Sequence, residues 1–435
     1  MLYRKLSAPL HVQIEITSLC NNQCQHCYNQ IFRKDVQQNT IRSWGIGRIM
    51  SELVKDKVSS VVITGGEPLL FPNLVLNIAE QCVSNDIKYS INSNLTVCEP
   101  NVFEELLDFG KVRVLTSIAS FSPDVHDEMM GRENAFNETI FNVRTLAKLG
   151  VDIVANMVLT NVNVNQVYET GRFISSLGLK TFAVTKASCP VGIGLPDNLD
   201  ISKDDFLRSV KGMKMVRDDF GIKVGTLSCY PHCALGDLEE YSFVANRLCG
   251  AGKTDCVISS QGDVRACVQS DKVYGNIFRE SLSDIYAKMD EWRDGTLLPT
   301  ICKVCEYFAA CGGGCRYNAQ AFNGVSGMDV FATKPEDVVV PLKQRSVRIY
   351  DRQQNIFTPS GIKSRPEDFG RIFSNFDGKI IMVDGNGGRL VDNIIGRTVK
   401  IASIYEDNKE CSEEDINFLL DRLLLSEFSI LVESS

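Results

Sequence analysis

The chain has 435 residues, of which 44% are hydrophobic and 23% charged, with a formal net charge of −8. This is the balance of a soluble globular protein of two or three domains. It excludes a chain built around membrane helices, since no apolar run approaches the roughly 20 residues a span requires, and the lack of a basic block argues against nucleic acid as a partner. The first residues show no apolar core with a small-residue cleavage site, so the expected compartment is the cytoplasm. Sixteen cysteines are many for such a chain. In a reducing compartment, clustered thiols point to metal rather than to disulfides.

In chain order, His11–Thr17 alternates, is rich in β-branched residues and reads as a strand. Residues 42–57 have helical periodicity, 59–64 form a short apolar strand, 73–85 a helix and 88–92 a strand. A helix over 102–109, a strand over 112–118, a helix over 138–149 and a strand over 153–159 follow. A helix over 166–177 and a strand over 181–185 complete the series. Apolar strands alternating with helices point to parallel βαβ units with right-handed crossovers. Ligands of such sheets sit at the carboxyl ends of the strands.

Two motifs leave those ends. After the first strand comes Cys20-Asn-Asn-Gln-Cys24-Gln-His-Cys27, a C-x3-C-x2-C loop with ring side chains at His26 and Tyr28. Three thiolates can hold three irons of a [4Fe–4S] cube and leave the fourth open. A closed zinc site, with His26 as fourth ligand, is the alternative. After the second strand comes Gly65-Gly66-Glu67-Pro68, whose glycines permit close backbone approach and whose carboxylate suits an ammonium group.

Together these motifs resemble the radical S-adenosylmethionine (SAM) superfamily. The resemblance implies an α/β fold, an open partial (β/α)6 barrel over about residues 1–200. It implies a radical-generating [4Fe–4S] cluster on Cys20, Cys24 and Cys27, whose open iron chelates SAM. One electron from that cluster would cleave SAM to methionine and a 5′-deoxyadenosyl radical. Gly65, Gly66, Glu67 and Pro68 would receive the SAM amino group. Tyr28, Asn92, Asn94, Ser117, Arg132 and Asn156 stand where the family places further SAM contacts. The family's acid after the fourth strand is missing, because the chain reads Ser117-Ile-Ala-Ser120 there.

A Gly/Pro-rich stretch over 188–198 and a helical bridge over 203–217 lead to a second cysteine field. It reads Cys249-x12-Gly262-x4-Cys267, then Cys302-x2-Cys305-x5-Cys311-x3-Cys315, with Cys256 inside the first part. This resembles the SPASM extension of radical SAM enzymes, which implies two auxiliary [4Fe–4S] clusters in a domain spanning about 201–345. By the resemblance, Cys249, Cys256, Cys267 and Cys315 would hold the first, and Cys302, Cys305 and Cys311 most of the second. The family's last cysteine is absent. Asp337, distant Cys411 or an open iron takes its place, and Asp337 is the favoured reading; an oxygen ligand would alter the cluster's potential. A zinc ribbon is the plain metal alternative. Of the other thiols, Cys82 reads as core packing, Cys229 and Cys233 as either metal ligands or buried thiols, and Cys189 as structural or as a hydrogen donor facing the cavity.

Residues 346–435 form a small α+β unit, winged-helix-like in its order of elements. Lys379–Val391 reads as a hairpin around Asp384-Gly-Asn-Gly-Gly388, 393–405 as a helix, and Ser412 opens a second helix with a capping box. It loosely resembles peptide-recognition elements, which add a peptide as a strand; a structural lid is the alternative.

The resulting expectation is a radical SAM/SPASM enzyme that modifies a precursor peptide or protein side chain. It would draw electrons from a reductase such as flavodoxin or ferredoxin. A sulfatase-maturase-like or small-molecule dehydrogenase, and a non-catalytic iron–sulfur or zinc protein, are the other readings.

Overall fold

A computed structural model describes residues 3–27, 29, 39–188, 199–343, 346–375 and 377–432. Its centre is a 10-stranded sheet. Seven strands run parallel in sequence order: β1 (His11–Thr17), β2 (Ser60–Gly65), β3 (Lys88–Asn92), β4 (Arg113–Ser117), β5 (Asp152–Leu159), β6 (Thr181–Lys186) and β7 (Lys223–Gly225). The first six are the strands expected from sequence, with boundaries moved by a residue or so.

The helices between them bury apolar stripes against the sheet. Ile46, Ile49 and Leu53 of helix Ser43–Lys55, and Val75, Ile78 and Cys82 of helix Pro72–Ser84, are fully buried. Prolines start the helices Pro72–Ser84, Pro100–Phe109 and Pro123–Met130, where a missing N–H costs nothing. Cys82 packs in this core, as expected.

Beyond β1 the sheet is extended by residues from the second cysteine field. The strand β8 (Asp255–Ile258) pairs parallel with β1, in register from His11–Asp255 to Ile14–Ile258. Antiparallel β9 (Asp263–Arg265) and β10 (Val273–Asn276) follow. Arg265 of β9 is ion-paired with Glu15 of β1, both side chains buried. Burial raises the Glu15 pKa, and the Arg265 guanidinium opposes that rise. The cysteine-rich segment is thereby fixed to the barrel by backbone, core and charge.

The tail has its own apolar cluster, including Ile356, Phe373, Leu390, Leu420 and Phe428. Two three-stranded sheets build it, in the orders β15-β11-β16 and β12-β13-β14. These are β11 (Asn355–Thr358), β12 (Lys363–Glu367), β13 (Gly370–Ser374), β14 (Ile380–Val383), β15 (Arg397–Lys400) and β16 (Ile430–Val432). Two expectations are corrected here. The Gly-rich run is no hairpin: Asp384 caps a helix, Gly385–Ile394, by accepting the Gly387 N–H at 2.8 Å. The expected helix over 393–405 is instead the strand β15 followed by helix Ile401–Asp407. Helix Glu413–Leu425 does open on Ser412.

The tail docks on the amino ends of the barrel strands. Buried Arg365 donates to Ala8 O at 2.8 Å and Asp56 O at 2.9 Å, and pairs with Glu367 at 2.7 Å. Lys57 Nζ donates to Ser364 O at 2.7 Å. Both barrel segments precede strands, so the tail sits on the face opposite the cysteine loop. Among the described residues no helix is long and apolar enough to cross a membrane.

Candidate functional site

The loop that leaves β1 is clamped by three neighbours. The Gly66 N–H donates to Thr17 O and the Glu67 N–H to Leu19 O, both at 2.7 Å. Only glycines allow this approach: a Cβ at Gly66 would lie 1.8 Å from Leu19 O, and one at Gly65 (φ +131°) 2.4 Å from Thr17 O. Asn29 Nδ2 donates to Gly65 O at 2.8 Å. From another side, Gln23 N donates to Met130 O at 3.1 Å and Arg132 Nη1 to Asn21 O at 3.4 Å. Gly131 (φ +59°) lies where a Cβ would come 2.3 Å from Gln23 O.

Asn94, after β3, joins the loop to the glycine motif. Its amide donates to Asn21 Oδ1 at 2.9 Å and reaches Cys20 Sγ at 3.8 Å, and its backbone N–H donates to Glu67 Oε2 at 2.8 Å. Asn21 Nδ2 in turn donates to Thr96 Oγ1 at 2.7 Å. Asn21 and Thr96 were not singled out from sequence; polar residues on crossing loops give no periodic signal.

Glu67 departs from its expected role. It is 1% exposed, and Ser93 Oγ (2.7 Å), Leu69 N (2.9 Å) and Asn94 N donate to its two oxygens. The carboxylate braces β2 against β3 and is not presented to a ligand. Burial pushes its pKa up to about 7, against those three hydrogen bonds. Arg132 likewise is a loop clamp, paired with Glu138 at 2.7 Å. Asn156 Oδ1 accepts Thr185 Oγ1 at 3.0 Å, and Asn156 stands opposite Ser117 in the β4–β5 register. Asn92 is half-buried at the end of β3, and Pro68 is buried at the start of a helical turn, Pro68–Leu70. Tyr28 and Cys189 lie outside the described residues.

The chemistry of the loop fits an iron–sulfur group. Cys20, Cys24 and Cys27 stand together, partly exposed, at one strand end. Among the described residues, Asn22 is buried between them with neither amide atom hydrogen-bonded, and His26 Nδ1 is buried without a partner. Burial, with His126 adding to it, lowers the His26 pKa to about 4. The ring is then neutral near neutral pH.

The second field falls into two groups. Cys229 neighbours Cys249 and Cys315, whose sulfurs, with burial, push its pKa well up. Cys267 feels the charges of Cys315 and Cys249, while burial raises its thiol to about 12. Cys256 is not among them. It is 0% exposed in the apolar core of β8, opposite Val12, and only Asp255 and Asp56 join burial in raising its pKa. The resemblance implied it as a ligand, but its side chain stands on the core face of the strand. The other group lines a cleft of about 390 Å³, counting its open mouth, with Cys233, Cys302, Cys305 and Cys311 on its walls. Asp337 does not line it. That residue is exposed, with the Thr333 side chain beside it and the Lys334 N–H donating to its carboxylate at 3.2 Å, and both hold its pKa low. Cys411 lies in the tail cluster, beside Glu410 and Asp384. Among the described residues no three His, Cys, Asp or Glu side chains close around a single metal ion.

Residues 14–174 match the radical SAM superfamily, and residues 249–306 match an iron–sulfur cluster-binding domain, SPASM. The chain carries a radical SAM domain and a SPASM domain. Its cofactors follow: SAM, a SAM-binding [4Fe–4S] cluster and auxiliary clusters. The chain is 25% identical over 342 residues to the AdoMet-dependent heme synthase of Methanosarcina barkeri, covering 73% of this chain and 94% of that protein. It is 27% identical over 283 residues to the antilisterial bacteriocin subtilosin biosynthesis protein AlbA of Bacillus subtilis, covering 64% of this chain and 59% of that protein. Among solved structures, Streptococcus suis SuiB bound to precursor peptide SuiA is similar with a TM-score of 0.63 at 20% identity, over 75% of this chain and 76% of that one. At that identity the likeness is one of fold.

Proposed function

We propose that this radical SAM/SPASM enzyme matures a ribosomally made peptide. It would abstract hydrogen from a side chain of a precursor peptide or protein and leave a crosslink, a thioether or an oxidised residue. The observation that carries the reading is the meeting of the thiol loop and the glycine loop at one mouth of the barrel. Likeness to a bacteriocin biosynthesis protein supports the substrate class.

In this reading Cys20, Cys24 and Cys27 hold the SAM-binding cluster, and Gly65 and Gly66 offer backbone to SAM. Asn92, Ser117 and Asn156 line its flank. When bound, the cluster supplies the electron that splits SAM into the hydrogen-abstracting species. The protein's own work is positional. Asn94 and Arg132 fix the thiol loop, and Glu67 fixes the strand ends. A flavodoxin or ferredoxin in the cytoplasm supplies the electron.

The tail stands at the amino ends of the strands, so a leader peptide docked there has a barrel to cross. Along the seven-residue β1, that is roughly 20 Å at about 3.3 Å per residue. The edge strand β16, with Ile430, Leu431 and Val432 exposed, offers one place for strand addition.

A second reading, a small-molecule substrate, is favoured by the likeness to the heme synthase. Anaerobic incubation with SAM, reductant and a precursor peptide encoded beside this chain separates the two. Peptide-stimulated 5′-deoxyadenosine together with hydrogen loss from the peptide supports the first reading. Turnover of a tetrapyrrole, with no change in any peptide, supports the second.

A further inference from the structure

We propose that the loop Cys229-Tyr-Pro-His-Cys233 ligates both auxiliary clusters, with Cys233 completing the second alongside Cys302, Cys305 and Cys311, and Cys229 joining Cys249, Cys267 and Cys315 at the first. The inference rests on the auxiliary clusters, and not on the identity of the substrate.

The chain lacks a cysteine downstream of Cys315 near the second group, yet a cubane closed by protein takes four thiolates. The structure brings the missing thiol from upstream. Cys233 faces the same cleft as Cys302, Cys305 and Cys311. The cleft wall is already built for bound sulfur. The N–H of His232 donates to Cys311 Sγ at 3.3 Å, and the N–H of Thr333 donates to Cys233 Sγ at 3.2 Å. Thr333 Oγ1 also donates to Cys233 O at 2.7 Å, which fixes the backbone that carries the thiol. Such N–H···S bonds orient ligands and set a cluster's potential.

Four residues earlier in the same loop, Cys229 is 5% exposed and neighbours Cys249 and Cys315. Pro231 lies between the two cysteines, and the turn His232–Leu235 begins just after it, so the chain reverses there. Tyr230, also between them, is buried with its hydroxyl accepting the Lys186 N–H at 2.8 Å, which ties the loop to the end of β6. Two closed clusters follow, joined by three intervening residues. With four thiolates each, neither cluster would offer an open iron to substrate.

The test is the holoenzyme carrying Cys233→Ala, compared with Asp337→Ala and Cys256→Ala. Iron should fall from about twelve toward about eight per chain in Cys233→Ala, or its second cluster should change spectroscopically as a site opens to added imidazole. The two other variants should match wild type. Unchanged iron and Mössbauer spectra in Cys233→Ala, or a lost cluster in Asp337→Ala, would overturn the proposal. Should Cys233→Ala not fold, wild-type protein decides by differential alkylation. Cys229 and Cys233 should be labelled in chelated protein and protected in the holoenzyme, while Cys411 is labelled in both. Equal labelling of Cys233 in the two states would overturn it.

Discussion

Gly66 and Leu19 meet backbone to backbone, the site of a Gly66 Cβ lying 1.8 Å from the Leu19 carbonyl oxygen. The same oxygen accepts the Glu67 N–H, so the thiol loop has no room to retreat. Gly66→Ala therefore must push the loop that carries Cys20. A displacement of about 1 Å costs on the order of 100-fold in a positioned reaction. The expected outcome is a comparable fall in 5′-deoxyadenosine formation, measured with SAM and reductant, with iron in the auxiliary clusters retained.

Glu67 couples the site to pH. Its folded pKa, about 7, lies above the ordinary 4.5 because burial disfavours the charged form. A raised pKa gives stability that is complete below about pH 4.5 and is lost as pH rises through about 7. At 1.36 kcal/mol per unit this is ~3 kcal/mol. The melting temperature of the metal-free chain should drop between about pH 5 and about pH 8, and Glu67→Gln should flatten that drop. An equal slope in the variant would assign the titration elsewhere.

Arg365 is the anchor of the tail. Its guanidinium serves carbonyls of Ala8, Pro9 and Asp56 and pairs with Glu367, whose side chain is 2% exposed. Arg365→Met leaves that carboxylate buried without its partner, a loss of about 3–5 kcal/mol. Limited proteolysis should then cleave near residues 344–362, while iron content and SAM cleavage persist. Loss of SAM cleavage would show that the tail reaches the mouth of the barrel.

Much of this molecule was legible in the sequence because its signals are periodic. The six strands and the helices between them repeat apolar patterns that only a parallel sheet buries on both faces. The thiol triad and the double glycine were legible because their spacing is local. What escaped was long-range or competed with a local signal. Strands β8 to β10 are three or four residues long and join the sheet through the pairing of β8 with β1, far away in sequence. The Gly-rich run after Asp384 reads as a turn, yet the Asp384 cap and burial of Leu390, Val391 and Ile394 make it a helix. Cys256 fits a ligand spacing but points into the core, whereas Cys229 and Cys233 stand outside the motif and reach the thiols through the fold. Glu67 has the chemistry of a ligand group, but three donors within the protein consume it.

We propose that the thiol loop after β1 carries a SAM-cleaving cluster. Its most direct test is 5′-deoxyadenosine formation by the anaerobically reconstituted chain with SAM and a one-electron reductant, set beside Cys24→Ala. The wild-type chain should give product and the variant none, with the auxiliary clusters still loaded. Product from both, or from neither when wild type holds its full iron, would contradict it.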